Sequence, residues 1–231
     1  MEKLKRFLNH TYKSEIQIYA RNDFITHEAS FTLPLSWQSI INSGASFQSA
    51  LSSIWQPVVR HKDSLLDYIV QHTLDIHVVL FSSSSAPLGL LYSIAGEGVN
   101  YWLGGLPIEK REIISVEQKL AINLPSSLKL FSNIHNGFLL DGASAFGVRP
   151  LNSLFCLDDY DIFSDLDIDY DPKKCLAFCG DGAGNEQCFS INHPIHENDY
   201  MTYDWDHETR ELTKPQSFWD FLERFIKNSV W

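Results

Sequence analysis

Seven aspartates crowd a short stretch, LDDYDIFSDLDIDYD (157–171): Asp158, Asp159, Asp161, Asp165, Asp167, Asp169 and Asp171. Carboxylates at this density can ligate a hard cation, or raise a negative surface that docks a basic partner. The alternating set Asp165, Asp167, Asp169 and Asp171 starts like a calcium loop. Such a loop needs glycine at its sixth place and glutamate at its twelfth. Tyr170 and Leu176 stand there instead, so calcium binding of that kind is not expected. Two compatible readings remain. In one, the run is a docking surface whose clustered charge raises association rates by roughly 10 to 10³. In the other, it is a solvated loop or edge strand whose aspartates block aggregation while Leu166, Ile168 and Tyr170 face the core.

Other chemistry-bearing residues assemble less well. Cys175, Cys179 and Cys188, with His193 and His196, supply enough ligands for a tetrahedral zinc site, but not at ribbon or finger spacing. Residues four apart share a face of a strand, so Cys175 and Cys179 are expected to point inward together as small buried thiols. No metal is expected. Gly180-Asp181-Gly182-Ala183-Gly184 precedes a strand-like Gln187–Ile191 rather than a helix, which argues for a tight turn over phosphate binding. Gly142-Ala-Ser-Ala-Phe-Gly147 is one residue too long for a nucleophile elbow. Nine histidines are scattered singly, and no catalytic residue or cofactor motif emerges.

The chain that must position these groups has 231 residues, 44% hydrophobic and 20% charged, with 18 Lys+Arg, 29 Asp+Glu and net charge −11. Its apolar content excludes disorder. No apolar run approaches the roughly 20 residues that span a bilayer. The acidic excess argues against nucleic acid as the main partner, since phosphates demand Lys and Arg. Residues 1–112 carry nine Lys/Arg and ten Asp/Glu, while residues 113–231 carry nine and nineteen. The excess therefore sits in the second half, together with all four cysteines. MEKLKRFLNHTYK has no apolar stretch after its basic residues, so no secretory signal is expected, and reduced thiols in a cytoplasm are the simplest reading.

Periodicity divides the chain into alternating elements. Leu4, Phe7, Leu8 and Tyr12 follow helical spacing, and Ile16 and Ile18 alternate as in a strand. Phe47, Ala50, Leu51, Ile54 and Trp55 form a helical stripe stopped by Pro57, and Asp63 is placed to cap a further helix. Ile76–Phe81 reads as a buried strand, and Leu88–Ala95 with Val99–Leu103 as a hairpin closed at Gly96-Glu97-Gly98. The second half opens with a capping box, Ser115-Val-Glu-Gln118, and Leu124-Pro125 interrupts the helix that follows. A helix through Leu128, Phe131 and Ile134 ends at Asn136-Gly137. Strands are expected at 145–149, 175–179, 187–191 and 200–203. Phe218, Phe221, Leu222, Phe225 and Ile226 form the apolar stripe of a last helix capped by Ser217.

The order VEQKLAINLPSSLKLFSNIHNG (116–137), LAFCGDGAGNEQCFSIN (176–192), YMTYDWDHETREL (200–212) and SFWDFLERFI (217–226) resembles the SUKH superfamily of Smi/Knr-type domains. Glu117, Leu124, Pro125, Phe131, Asn136, Gly137, Gly182, Gly184, Phe218 and Phe221 carry the likeness. It implies an α+β fold with a mixed, mainly antiparallel sheet packed with helices and no active site, over residues 113–231. Residues 1–112 then form an α+β extension or divergent domain. Within them, FTLPLSWQSIINSG (31–44) echoes 122–137, either as a degenerate second copy or as an unrelated helix begun by proline. Asn185 departs from the family turn, where an acid is common.

Bacterial members of that family are mostly immunity proteins that neutralise a cognate toxin, often a nuclease; fungal members are signalling and cell-wall regulators. The chain is therefore expected to be a non-enzymatic, cytoplasmic immunity protein that binds a basic toxin domain. A regulatory scaffold is the alternative. Candidate contacts are Asp158, Asp159, Asp161, Asp165, Asp167, Asp169, Asp181, Asp204, Trp205 and Asp206. Trp205 reads either as an aromatic anchor between charges or as a core residue of the sheet.

Overall fold

Among the described residues eleven strands join in one sheet in the order β1-β2-β3-β4-β5-β6-β8-β9-β10-β11, with β7 paired beside β8. The computed structural model describes residues 4–6, 8–9, 15–20, 33–41, 46–58, 60–82, 88–96, 98–141, 146–160, 162–163, 168–196 and 198–228. The strands are β1 Ile16–Ala20, β2 Thr73–Phe81, β3 Leu88–Ala95, β4 Val99–Gly105, β5 Phe138–Leu140 and β6 Phe146–Val148. The remainder are β7 Phe155–Cys156, β8 Cys175–Asp181, β9 Glu186–His196, β10 Asp199–Trp205 and β11 Leu212–Gln216. The helices are α1 Leu35–Ile41, α2 Phe47–Trp55, α3 Asp63–His72, α4 Lys110–Leu120, α5 Ser126–Ser132 and α6 Phe218–Asn228. The expected α+β class is the one adopted, and every strand pairing among the described residues is antiparallel.

Alternation along the strands sorts side chains onto two faces. On one face, Ile76, Val78, Leu90, Tyr92, Trp102, Phe138, Leu176, Phe178 and Phe189 meet the apolar stripes of the helices in a continuous core. The opposite face carries two smaller clusters. Leu4 and Leu8 cover Ile16, Val79, Leu91 and Leu103 at one end, and Leu157 covers Cys175, Ala177, Cys188 and Trp205 at the other. Phe7, Tyr12 and Leu166 fall outside the described residues, as do the two ends of the 31–44 echo (31–32 and 42–44), while its middle forms α1.

The main core crosses residue 112 without a break. Residue 112 lies in the first turn of α4, and β4 pairs with β5 through Trp102↔Leu140, Leu103↔Leu139 and Gly104↔Phe138. Trp102 stacks on Phe138 with ring centroids 5.1 Å apart and meets Phe225 edge-on at 5.3 Å. Buried Tyr92 on β3 donates its hydroxyl to His135 Nε2 (2.8 Å), and His135 donates through Nδ1 to the carbonyl of Gly105 (3.2 Å). On the outside, Lys62 at the head of α3 reaches Asp220 (2.7 Å) and Glu223 (3.0 Å) of α6.

Three local expectations are corrected. The helix expected to open at Ser115 starts five residues earlier, and its reciprocal cap is Glu109 with Glu112. An earlier start brings Ile113 to the core with Val116, three residues apart on one face. Asp63 is the first residue of α3 rather than its cap, accepting from the amide of Ser64. Cys175 and Cys179 do not share a face. A bulge in β8 between Ala177 and Cys179 inserts one residue, which turns Cys179 toward the helices while Cys175 stays beside Cys188.

The residues of the family-like pattern each hold a junction. Glu117 accepts from the amide of Leu124 (2.9 Å) and pairs with Lys129 (3.0 Å), closing the Leu124-Pro125 corner between α4 and α5. Phe131, Phe218 and Phe221 lie in the core. Asn136 accepts from the amide of Leu151 (2.8 Å), and Gly137 sits at φ +92° with Pro150 so close that a Cβ would touch it at 3.0 Å.

Candidate partner-binding surface

Trp205 is the residue on which aromatic side chains of the acidic stretch converge. Its side chain is 1% exposed, so it is a core residue and offers no aromatic anchor to a partner. Tyr160 stacks on its ring at 5.5 Å and 14°, and Phe163 leans on it at 5.9 Å. From the other side, Tyr170 accepts from the indole Nε1 (2.8 Å) and donates to the carbonyl of Arg210 (2.8 Å). The aspartate run is thus fastened near both ends by tyrosines that grip one tryptophan.

A buried ion pair stiffens the same region. Arg149 makes two parallel bonds to Glu186 (2.5 and 2.9 Å), Tyr160 donates to Glu186 Oε1 (2.8 Å), and the guanidinium lies over Phe155 at 5.2 Å. Burial pushes the Glu186 carboxyl above its usual range, opposed by Arg149 and Tyr160. Burial likewise pushes the Tyr160 phenol up to about 12, helped by its bond to Glu186. Sequence reasoning missed this pair because its partners stand 37 positions apart.

The described carboxylates of the run face solvent. Leu157–Asp159 form a single 3-10 turn in which Leu157 is buried while Asp158 and Asp159 are exposed. Asp169 is exposed between half-buried Ile168 and Tyr170, and exposed Asp171 caps the next turn by accepting from Lys173 N (3.0 Å). Asp161, Asp165 and Asp167 lie outside the described residues.

The other candidate contacts are more committed to the fold. Asp204 was expected among exposed acids, yet it is 9% exposed and bound to Lys214 (2.9 Å), Arg224 (3.3 Å) and Gln187. Asp181 holds its own turn, accepting from the amides of Ala183 (2.7 Å) and Asn185 (3.0 Å). Asp206 accepts from the amides of Glu208 and Thr209, bonds that hold its carboxyl below the usual range. Gly182 and Gly184 both take positive φ here, and a Cβ on Gly184 would meet the ring of His207 at 3.1 Å.

Asn185 joins the two turns. Its amide donates to Asp181 Oδ2 (2.7 Å), and its carbonyl oxygen accepts from His207 N (3.1 Å) and Nδ1 (2.9 Å). An acid at this position would lack the donor and face the Asp181 carboxylate. Asn185→Asp is therefore expected to destabilise by about 1–3 kcal/mol. Urea unfolding checks this, and a cost near zero would show that the amide donor is dispensable.

The thiols and histidines do not form a centre. Cys179 faces away from Cys175 and Cys188, and His193 and His196 are exposed on the far part of β9. Burial pushes the thiols of Cys179 and Cys188 upward, and holds half-buried Cys156 at about 11. Among the described residues no group of three or more His, Cys, Asp and Glu is placed to share a metal ion, and no helix is long and apolar enough to cross a membrane.

The model of the SMI1 / KNR4 family (SUKH-1) matches residues 107–224. No curated protein and no solved structure matches.

Proposed function

Because the chain belongs to the SMI1/KNR4 (SUKH-1) family, which includes immunity proteins, we propose that it binds and neutralises a cognate bacterial toxin. The observation that supports this reading is the acidic stretch itself, fastened at Tyr160 and Tyr170 with Asp158, Asp159 and Asp169 left facing solvent. Fixed carboxylates act as a charge template, because little side-chain and loop ordering is left to occur on binding. A nuclease must present a cationic face to phosphate, so an acidic surface can cover that face in place of its substrate. In this reading the protein acts in the cytoplasm by contact alone, without catalysis or cofactor.

Co-expression with the toxic domain encoded beside it tests the proposal. Survival of the cells and recovery of a complex are expected; death without complex formation across candidate toxins would sink it and favour the regulatory scaffold. The surface itself is tested by Asp158, Asp159 and Asp169 changed together to Asn. Association with the toxin is expected to slow about tenfold at low salt, with a flatter salt dependence. An unchanged rate and slope would remove the acidic surface from the account.

A further inference from the structure

A cleft of about 450 Å³ opens where β4 leaves the sheet. Its lining is mixed: Leu103 and Leu139, which oppose each other across the β4–β5 pairing, with Phe81 and Leu106, and the polar Asn136, Asn152 and Ser153. Glu109 and Glu112 also line it, and among the described residues no lysine, arginine or histidine does. Phe81 and Leu103 precede the region that matches the family, while Glu109 and Leu139 belong to it, so neither half builds the cleft alone.

Both carboxylates already work in the cap of α4. Glu112 accepts from the amide of Glu109 (3.0 Å), and Glu109, with its side chain 66% exposed, pairs with Arg111 (2.9 Å). A carboxylate has about four acceptor positions, so each keeps capacity for an outside donor. A cleft that offers leucines and two carboxylates complements a side chain that has an apolar stem and a cationic head. Resting on the reading of an acidic protein that captures a basic partner, we propose that this cleft receives one long cationic side chain, arginine or lysine, of that partner. Its stem lies along Leu103 and Leu139, and its head reaches Glu109 and Glu112.

The full chain, isotope-labelled, is titrated with N-acetyl-arginine amide and with uncharged N-acetyl-norleucine amide while the amides of Gly105, Gly137 and Leu139 are followed by NMR. The arginine derivative is expected to shift them at lower concentration than the norleucine derivative. In the Glu109→Gln/Glu112→Gln double variant its affinity is expected to fall roughly three- to tenfold, the span for two exposed charge pairs, with the norleucine response unchanged. Glutamine keeps an acceptor oxygen at both positions, so the helix stays capped. No shift at probe saturation, an equal response to both probes, or a preference that survives the double variant would overturn the proposal. Protection from a toxin is a separate readout. A chain that protects cells while its cleft ignores arginine sinks the cleft and leaves the immunity reading standing. Arginine capture with no protection counts against the immunity reading and supports the chemistry of the cleft.

Discussion

Trp205→Ala is expected to cost about 3–5 kcal/mol of stability, the usual range for emptying a buried aromatic site. The same change removes the stacking surface of Tyr160 and the donor that holds Tyr170. Amide exchange should therefore accelerate first in 157–160 and 168–171, ahead of the helices on the other face of the sheet. Trp205→Phe separates the two fastenings, because it keeps a ring for Tyr160 and loses only the bond to Tyr170. It is expected to cost less and to loosen 168–171 more than 157–160. A Trp205→Ala protein within 1 kcal/mol of the parent by urea unfolding would show that the acidic stretch is held by something else. Since the net charge is untouched, electrostatic steering should survive in this variant while dissociation from a partner quickens.

The second large effect is a loss of stability in mild acid that originates at His135. This residue is fully buried, with Nδ1–H given to Gly105 and Nε2 taken up by Tyr92, so the fold accommodates the neutral ring. Burial depresses its pKa to about 3, opposed only weakly by the Gly105 carbonyl. In the unfolded chain the ring titrates near 6.5. Above that pH neither state binds the proton, and stability does not depend on this group. As pH falls from about 6.5 toward 3, the unfolded chain takes up a proton that the folded chain refuses, so stability drops by roughly 1.4 kcal/mol per pH unit. Asp220, whose carboxyl is held low by Lys62, contributes in the same direction only below the ordinary carboxylate range. Glu186 and Asp141, whose carboxyls burial raises, act in the opposite direction, so the histidine is read as the part of the slope between about pH 6.5 and 4.5 that a substitution at His135 removes. His135→Phe keeps ring volume and strands the Tyr92 hydroxyl and the Gly105 carbonyl. It should be less stable at pH 7 by about 1–3 kcal/mol and should lack the slope. A parent protein and a His135→Phe protein with the same pH dependence across that window would exclude the buried neutral histidine.

Much of the fold is legible because its elements are written locally. The stripes of α2 and α6 and the β3–β4 hairpin depend on neighbours within a turn or two, and they form where periodicity places them, whereas α5 ends at Ser132, short of the expected stop at Asn136-Gly137. Short elements are harder to read: β5 and β6 have three residues each and β7 has two, too few for a period to show. β11, with Lys214 at φ 50° followed by Pro215, carries residues that strands usually exclude. The candidate surface divides along the same line. The exposure of Asp158, Asp159 and Asp169 follows from their types, whereas the fate of Asp204 depends on Arg224, 20 positions later, and Trp205 is claimed by Tyr170 from 35 positions earlier. The thiols were misplaced because a single bulge reverses the parity of everything after it. Polarity and period say which residues belong inside, and long-range pairing decides which polar ones join them.

The sheet that runs unbroken through residue 112 also limits how a partner can approach. Proteins that capture extended peptides often do so by adding a foreign strand to an open edge. At β5 that place is already taken by β4, supplied by the same chain and held at the high effective concentration that covalent linkage provides. The first hundred residues act toward the rest as a tethered ligand that never leaves, and recognition at this position passes from backbone to side chains.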